Sequence, residues 1–169
     1  MSKRIGLLSD THSYLDPSVF KHFRNCDEIW HAGDVGDPAV LDALEEFRPL
    51  RGVYGNIDDA TVRQRLPLND FFTIEDVPVL ITHIGGYPGR YTTRVRNLIE
   101  ELQPTLYICG HSHILKVMMD KPRGVLHMNP GACGRHGFHR MRTLLRFEVA
   151  GGRVENLEVI ELGLRGSLD

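Results

Sequence analysis

Short apolar runs ending in polar clusters alternate with segments of helical period along the first third of the chain. Arg4 to Leu8 has no helical period and stops at the polar stretch Ser9 to Ser13, the pattern of a buried strand. A short helix follows, with Asp16 as N-cap, Pro17 at its first position and Val19, Phe20 and Phe23 facing inward. Glu28 to His31 reads as a second strand, stopped by Ala32-Gly33-Asp34. Asp37-Pro38 opens a second helix, Val40, Leu41, Leu44 and Phe47 form its apolar stripe, and Pro49 closes it. Leu50 to Tyr54 is a third strand and ends at Gly55-Asn56. This strand–helix alternation predicts a parallel sheet whose carboxyl ends gather the polar clusters.

The pattern then changes. Asn69 to Glu75 and Pro78 to Thr82 predict a hairpin about Asp76-Val77. Val95, Leu98, Ile99 and Leu102 form another helical stripe before Pro104, and Thr105 to Cys109 predicts a strand that delivers Gly110-His111-Ser112-His113. The remainder is strand-like: Leu115–Met119, Gly124–Met128, Thr143–Val149 and Arg153–Leu162, the last two joined by the turn Ala150-Gly151-Gly152. The expectation is an α/β protein with two β-layers and helices outside, the site lying along one edge of the sandwich.

At 169 residues the chain suits a single domain, 1–169, with a core of useful size. A formal net charge of −2 gives no global attraction to nucleic acid or an acidic membrane. Arg90, Arg94 and Arg96, near Tyr87 and Tyr91, read as a solvated helix face, so nucleic acid as a partner is not supported. Cys26, Cys109 and Cys133 are far apart, odd in number and without a CxxC pair, which argues against a disulfide framework. Nothing approaches the length of a membrane span, and the expected location is cytoplasmic.

The candidate chemistry lies in Asp10-Thr11-His12, Gly33-Asp34-Val35-Gly36-Asp37, Gly55-Asn56-Ile57-Asp58, His83 and Gly110-His111-Ser112-His113. Each alone has an ordinary reading: an Asp after a strand caps or turns, Gly-Asn makes a turn, and a lone His packs or faces solvent. In conjunction, at the ends of successive apolar runs, they supply carboxylates, a carboxamide and imidazoles to one place. Such oxygen and nitrogen donors are what two divalent ions sharing one site require. His111 and His113 alternate along an extended segment, so reaching one site needs a bend, which Gly110 is expected to permit.

In this order, Asp-x-His, Gly-Asp-x-x-Asp, Gly-Asn-x-Asp, Thr-His and Gly-His-Ser-His resemble the calcineurin-like metallophosphoesterase superfamily. The short length resembles its small prokaryotic phosphodiesterase branch, and Asn129-Pro130-Gly131 is similar to the turn of the family's closing strands. The resemblance implies a four-layer α-β-β-α sandwich, two mixed β-sheets flanked by helices. It implies one metal held by Asp10, His12, Asp34 and His113, and another by Asp34, Asn56, His83 and His111, with Asp34 bridging. Manganese is the foremost candidate, with nickel, zinc, iron and cobalt as alternatives. A metal-bound hydroxide would attack a phosphodiester, and some phosphomonoesters, in line and without a protein nucleophile. Asp34, Asn56 and His83 would thus be catalytic through the metals. Asp37 and Asp58 are read as residues that orient ligands or cap helices.

Many members carry His directly after the Gly-Asn, where it assists the leaving group. This chain has Ile57, which cannot donate a proton. Arg135 and His136, with His139 beyond them, follow the Asn-Pro-Gly turn as candidate substrate contacts or plain surface-loop residues, whereas His31 reads as a strand-end structural residue. A non-catalytic metal-binding scaffold is the second reading, since a retromer subunit of eukaryotes resembles the same fold. A phosphoprotein phosphatase is a third, disfavoured by Ile57 and by the lack of segments to build a peptide groove. The expected partner is a small phosphate-ester substrate, with no membrane, and the small branch suggests a homodimer.

Overall fold

The computed structural model describes residues 1–166. In chain order the elements are β1 (Ser2–Leu8), α1 (Ser18–His22), β2 (Glu28–His31), α2 (Ala39–Phe47), β3 (Leu50–Gly52), α3 (Ala60–Arg65), β4 (Asn69–Ile74), β5 (Val77–Thr82), α4 (Thr93–Leu102), β6 (Leu106–Ile108), β7 (Leu115–Asp120), β8 (Val125–Pro130), β9 (Met141–Ala150) and β10 (Arg153–Leu164). They build two five-stranded sheets, β10-β9-β1-β2-β3 and β4-β5-β6-β8-β7. Both are mixed: β1, β2 and β3 run parallel, as do β5, β6 and β8, while β9, β10, β4 and β7 join antiparallel.

The sheets pack face to face. Ile5 and Leu7 of β1, Trp30 of β2 and Phe147 of β9 meet Val79 and Ile81 of β5 and Ile108 of β6 in the central layer. Alternate residues of the same strands point outward. Leu8, Ile29 and Leu144 bury against Val19, Val40, Leu41, Leu44 and Val62, so α1, α2 and α3 cover the first sheet. Leu80 and Tyr107 meet Val95 and Ile99 of α4 on the second. Burial on both faces explains why the central strands read as continuous apolar runs rather than alternating ones. Trp30 is fully buried, with the rings of Phe72 and Phe147 edge-on to its own at 5.1 and 5.7 Å. Since Phe72 belongs to the second sheet, this aromatic cluster spans the gap between layers.

Register puts the motifs at one edge. Leu8 pairs with His31 and His31 with Gly52, while Ile81 pairs with Ile108 and Ile108 with Met128. In each sheet three parallel strands therefore end in register, and the loops that follow them carry the candidate chemistry. No helix among the described residues is long and apolar enough to cross a membrane.

Several boundaries differ from the sequence expectation; the hairpin, for one, turns at Glu75-Asp76, and Val77 already pairs with Ile74. β3 ends at Gly52 instead of Tyr54. α1 starts at Ser18, one residue after Pro17, although Asp16 Oδ1 still accepts the Ser18 N–H at 2.8 Å. The helix α3 has no counterpart in the pattern reading, because Val62 and Leu66 alone are too few to show a period. Its capping signal was there: Asp59 accepts from the Thr61 and Val62 N–H groups.

Asp16 also forms a buried ion pair with Arg142 of β9, at 2.6 Å. Burial alone would raise the Asp16 carboxyl, but the bonds from Arg142 and Ser18 outweigh it and hold its pKa below 3.8. A carboxyl depressed in the folded state stabilises fully above its unfolded pKa, and that contribution is lost as pH falls through the folded value. Asp16→Ala leaves the Arg142 guanidinium buried without a counter-charge, a loss of about 3–5 kcal/mol. Thermal melts at pH 7 should show a fall on the order of 10 °C. The gap between variant and parent should narrow only below about pH 4.

Candidate metal centre

The loops after β1, β2, β5 and β6 carry their side chains into one place by an unusual backbone. Asp10, His12, Asp34, His111 and His113 all have positive φ, between 45° and 72°. The left-handed region costs an L-residue of order 1 kcal/mol or more, so five such residues in one cluster require the surrounding structure to hold them. Asn56 and His83 reach the same place from ordinary backbone. The bend between His111 and His113 is thus made by the two histidines themselves, and not by Gly110. Gly110 is needed for space: a Cβ there would collide with Ser9 Oγ and lie 2.7 Å from Asp10 Oδ2. Gly33 combines both demands, with φ of 102° and only 2.5 Å between a Cβ and His83 Nδ1.

Two groups of donors result. Asp10, His12 and His113 form one, and Asp34, His83 and His111 the other; within each, the donor atoms lie within 4.8 Å of one another. His113 Nε2 is 3.2 Å from Asp10 Oδ1, and His83 Nε2 is 3.2 Å from Asp34 Oδ2. The same Asp34 oxygen is 3.4 Å from His12 Nε2, so it stands between the groups. Asn56 Oδ1 lies 3.1 Å from His111 Nδ1 beside the second group. Two ligands at about 2.1 Å from a shared ion stand roughly 3.0–3.4 Å apart at tetrahedral or octahedral angles, and most of these separations fall in or near that window.

The polar atoms facing inward lack other partners. Asp10 Oδ1, His12 Nε2 and His83 Nε2 are buried and make no hydrogen bond. Their opposite ends are fixed. Asp10 Oδ2 accepts from Ser9 Oγ at 2.6 Å and from the His111 N–H at 3.1 Å. Asp34 Oδ1 accepts from the Ile57 N–H. His83 Nδ1 lies 2.7 Å from the Ala32 carbonyl, to which it donates, and this leaves the Nε2 lone pair for the centre. Burial opposes the charged form of each group. Even so, facing imidazoles hold the carboxyls of Asp10 and Asp34 low, and the carboxylates hold the His83 pKa up. Lone pairs of carboxylate and imidazole that converge, several of them buried without a partner, fit divalent cations.

A layer behind these residues sets their positions. Asp58 accepts from the Val35, Gly36 and Gly55 N–H groups at 3.1, 2.8 and 2.8 Å, tying the loop after β2 to the loop after β3. Asp37 Oδ1 accepts from the Ala39 N–H at the start of α2. His31, wholly buried, accepts from the Gly33 N–H on Nδ1 and meets Thr11 Oγ1 on Nε2; burial pushes its pKa down to about 4, so it is neutral. Asn129 donates to the Gly110 carbonyl and to Ser112 Oγ, fixing the Gly-His-Ser-His loop. The sequence signalled Asp58 and Asn129 only as motif members, because the backbone groups they bind lie far away in the chain.

Two clefts flank the centre. One, of about 420 Å³, is walled by His12, Asn56, Ile57, Ile114, His136 and Phe138. The other, of about 400 Å³, is walled by Tyr54, Asn56, Arg63, Leu68, Ile84 and Arg94. His136 lies in the first, with its ring 4.7 Å from that of His12. His139 lines the same cleft, where Nε2 meets the Gly134 carbonyl at 2.9 Å and the ring sits 5.3 Å from that of His113. Arg135 lines neither cleft: its guanidinium covers the ring of Tyr14 at 3.7 Å.

Comparison with known proteins gives the chain a family and its fold known neighbours. The family model of the calcineurin-like phosphoesterase superfamily domain matches residues 4–152. A probable metallophosphoesterase of Methanocaldococcus jannaschii is 34% identical over 134 residues, covering 76% of this chain and 67% of that protein. The fold of an archaeal phosphodiesterase superposes with a TM-score of 0.72 over 94% of this chain and 99% of the other, at 21% identity. Vps29 of Chaetomium thermophilum gives 0.74 over 95% and 97%, at 19% identity.

Asp58→Ala should separate support from ligation. It removes no inward-facing donor but strands three backbone N–H groups. Metal affinity should fall by about 10–100-fold, and the protein should lose about 2–4 kcal/mol. Manganese titration by calorimetry and denaturant unfolding read the two effects.

Proposed function

Because the chain belongs to the calcineurin-like phosphoesterase superfamily, we propose that it is a metal-dependent phosphodiesterase with a dinuclear centre, built as one domain over 1–169. The observation that carries the reading is Asp34 Oδ2 standing within 3.4 Å of an imidazole from each donor group. In this reading Asp10, His12, Asp34 and His113 hold one ion, and Asp34, Asn56, His83 and His111 the other. The donors are oxygens and imidazole nitrogens without a thiolate, which favours manganese, with nickel, zinc, iron or cobalt as alternatives. When bound, the metal pair supplies a nucleophilic water at neutral pH and positive charge against the phosphoryl oxygens.

The chain's own residues do the positioning. Asp34 and His83 are buried at the floor of the centre, and Asn56, shared by both clefts, stands where the phosphate would sit. The two clefts support a diester, since a monoester has only one arm to place. Ser112 supports the absence of a protein nucleophile: its hydroxyl is already engaged by Tyr87 Oη, Asn129 Nδ2 and the Ile114 N–H. Ile57 is half exposed in the cleft wall and offers no proton to the departing alcohol.

The three cysteines are buried, and burial raises their thiols to about 11 for Cys26 and about 12 for Cys109 and Cys133. Inert free thiols suit the reducing cytoplasm, where we place the protein, with a homodimer as the assembly. The likeness to Vps29 favours one alternative, a metal-binding scaffold without turnover.

Asp34→Asn tests the bridge. A carboxamide offers one good ligand oxygen, so metal content measured by mass spectrometry should drop from two ions toward one. Turnover of bis-p-nitrophenyl phosphate should fall by roughly three orders of magnitude. Wild-type protein that carries metal but hydrolyses no diester would favour the scaffold. A second check uses aryl phosphodiesters of graded leaving-group basicity. The rate should fall steeply as the leaving group becomes more basic, and a flat profile would mean that another residue donates the proton.

A further inference from the structure

The two clefts differ in charge. No lysine or arginine lines the one holding Ile57, Ile114 and Phe138. No carboxylate lines the other, which presents Arg63 and Arg94. We propose that this second cleft selects phosphodiesters in which one arm carries a second anionic group, a terminal phosphate on a sugar or comparable ring. The proposal rests on the phosphodiesterase reading above and names its substrate class.

Both guanidinium groups are held in place without being neutralised. Arg63 Nε donates to the Asp58 carbonyl at 2.8 Å, and its guanidinium lies over the Tyr54 ring at 4.7 Å. Those contacts fix the plane of the group and leave Nη1 and Nη2 without an acceptor among the described residues. Arg94 Nη1 donates to the neutral Asn69 Oδ1 at 2.6 Å. Arg65, two residues after Arg63, shows the contrast: Asp42 and Glu45 pair it at 2.7 and 3.0 Å. A planar, uncompensated guanidinium is the usual partner of a phosphate, and a second one nearby adds to the attraction. The same cleft is lined by Tyr54, Leu68 and Ile84, which offer apolar contact for the carbon skeleton joining two phosphates. Because Asn56 and His83 line this cleft as well, an arm lying in it is continuous with the phosphate at the metals. The opposite cleft, which presents Ile57, Ile114 and Phe138 and no lysine or arginine, suits the arm without a second anionic group.

The test compares dithymidylate with and without a 5′-phosphate, using the manganese-loaded protein. The 5′-phosphorylated diester should have a kcat/KM about tenfold higher or more, carried by KM. Arg63→Gln with Arg94→Gln should bring the ratio to about one. Arg94→Gln alone, which leaves the Asp58 loop untouched, should bring it part of the way. Thymidine 3′,5′-bisphosphate, measured by calorimetry without turnover, should bind about tenfold more weakly to the double variant. Equal treatment of the two dithymidylates by the wild type, or a preference that survives in the double variant, overturns the proposal. If bis-p-nitrophenyl phosphate is hydrolysed in either case, the phosphodiesterase reading stands and only the anionic arm falls. If no diester is hydrolysed with any of the five metals, both fall.

Discussion

Asp58 accepts N–H groups from Val35, Gly36 and Gly55, and those three bonds join two loops that the chain itself leaves far apart. Asp34 lies inside that joint. It has positive φ, and its Oδ1 is occupied by the Ile57 N–H of the neighbouring loop. A buried carboxylate in strained backbone is tolerable only if its alternatives are worse, and freeing Asp34 would strand several backbone donors away from water. The same logic holds one loop earlier. Asp10 is pinned by Ser9 and by the His111 N–H, and its own N–H donates to the Gly33 carbonyl. Local strain at five candidate ligands is thus stabilised by the sheet ends to which the loops are tied.

Convergence of lone pairs is the second cost. Carboxylate oxygens and imidazole nitrogens face one another at 3.2–3.8 Å with no proton donor from the surrounding protein. Such an arrangement favours a bound cation, which turns repulsion among acceptors into coordination. Fold and centre therefore depend on each other: the two-sheet core supplies the stability that the strained loops consume.

Much of this was legible in the sequence because it is local. Apolar runs gave the central strands, helical stripes gave α2 and α4, and cap-and-proline pairs marked where α1 and α2 begin. The candidate donors were legible because each follows a strand end. Features built from distant partners were not. The grip of Asp58 on Val35 and Gly36 and the stacking of Arg135 on Tyr14 have no local signature. Gly110 shows how a correct residue attracts a wrong reason: a bend was expected from its flexibility, but the structure uses its lack of a side chain. Helix α3 escaped because six residues with one buried apolar position carry no period.

Trp30 is the only tryptophan in the chain, and it is fully buried where the two sheets meet, with Phe72 of one and Phe147 of the other against its ring. The protein therefore carries a built-in optical gauge. Its ultraviolet emission comes from a single indole in a dry aromatic setting, and a shift to longer wavelength registers water entering between the layers. One spectroscopic signal thus follows the parting of the sandwich without any attached dye.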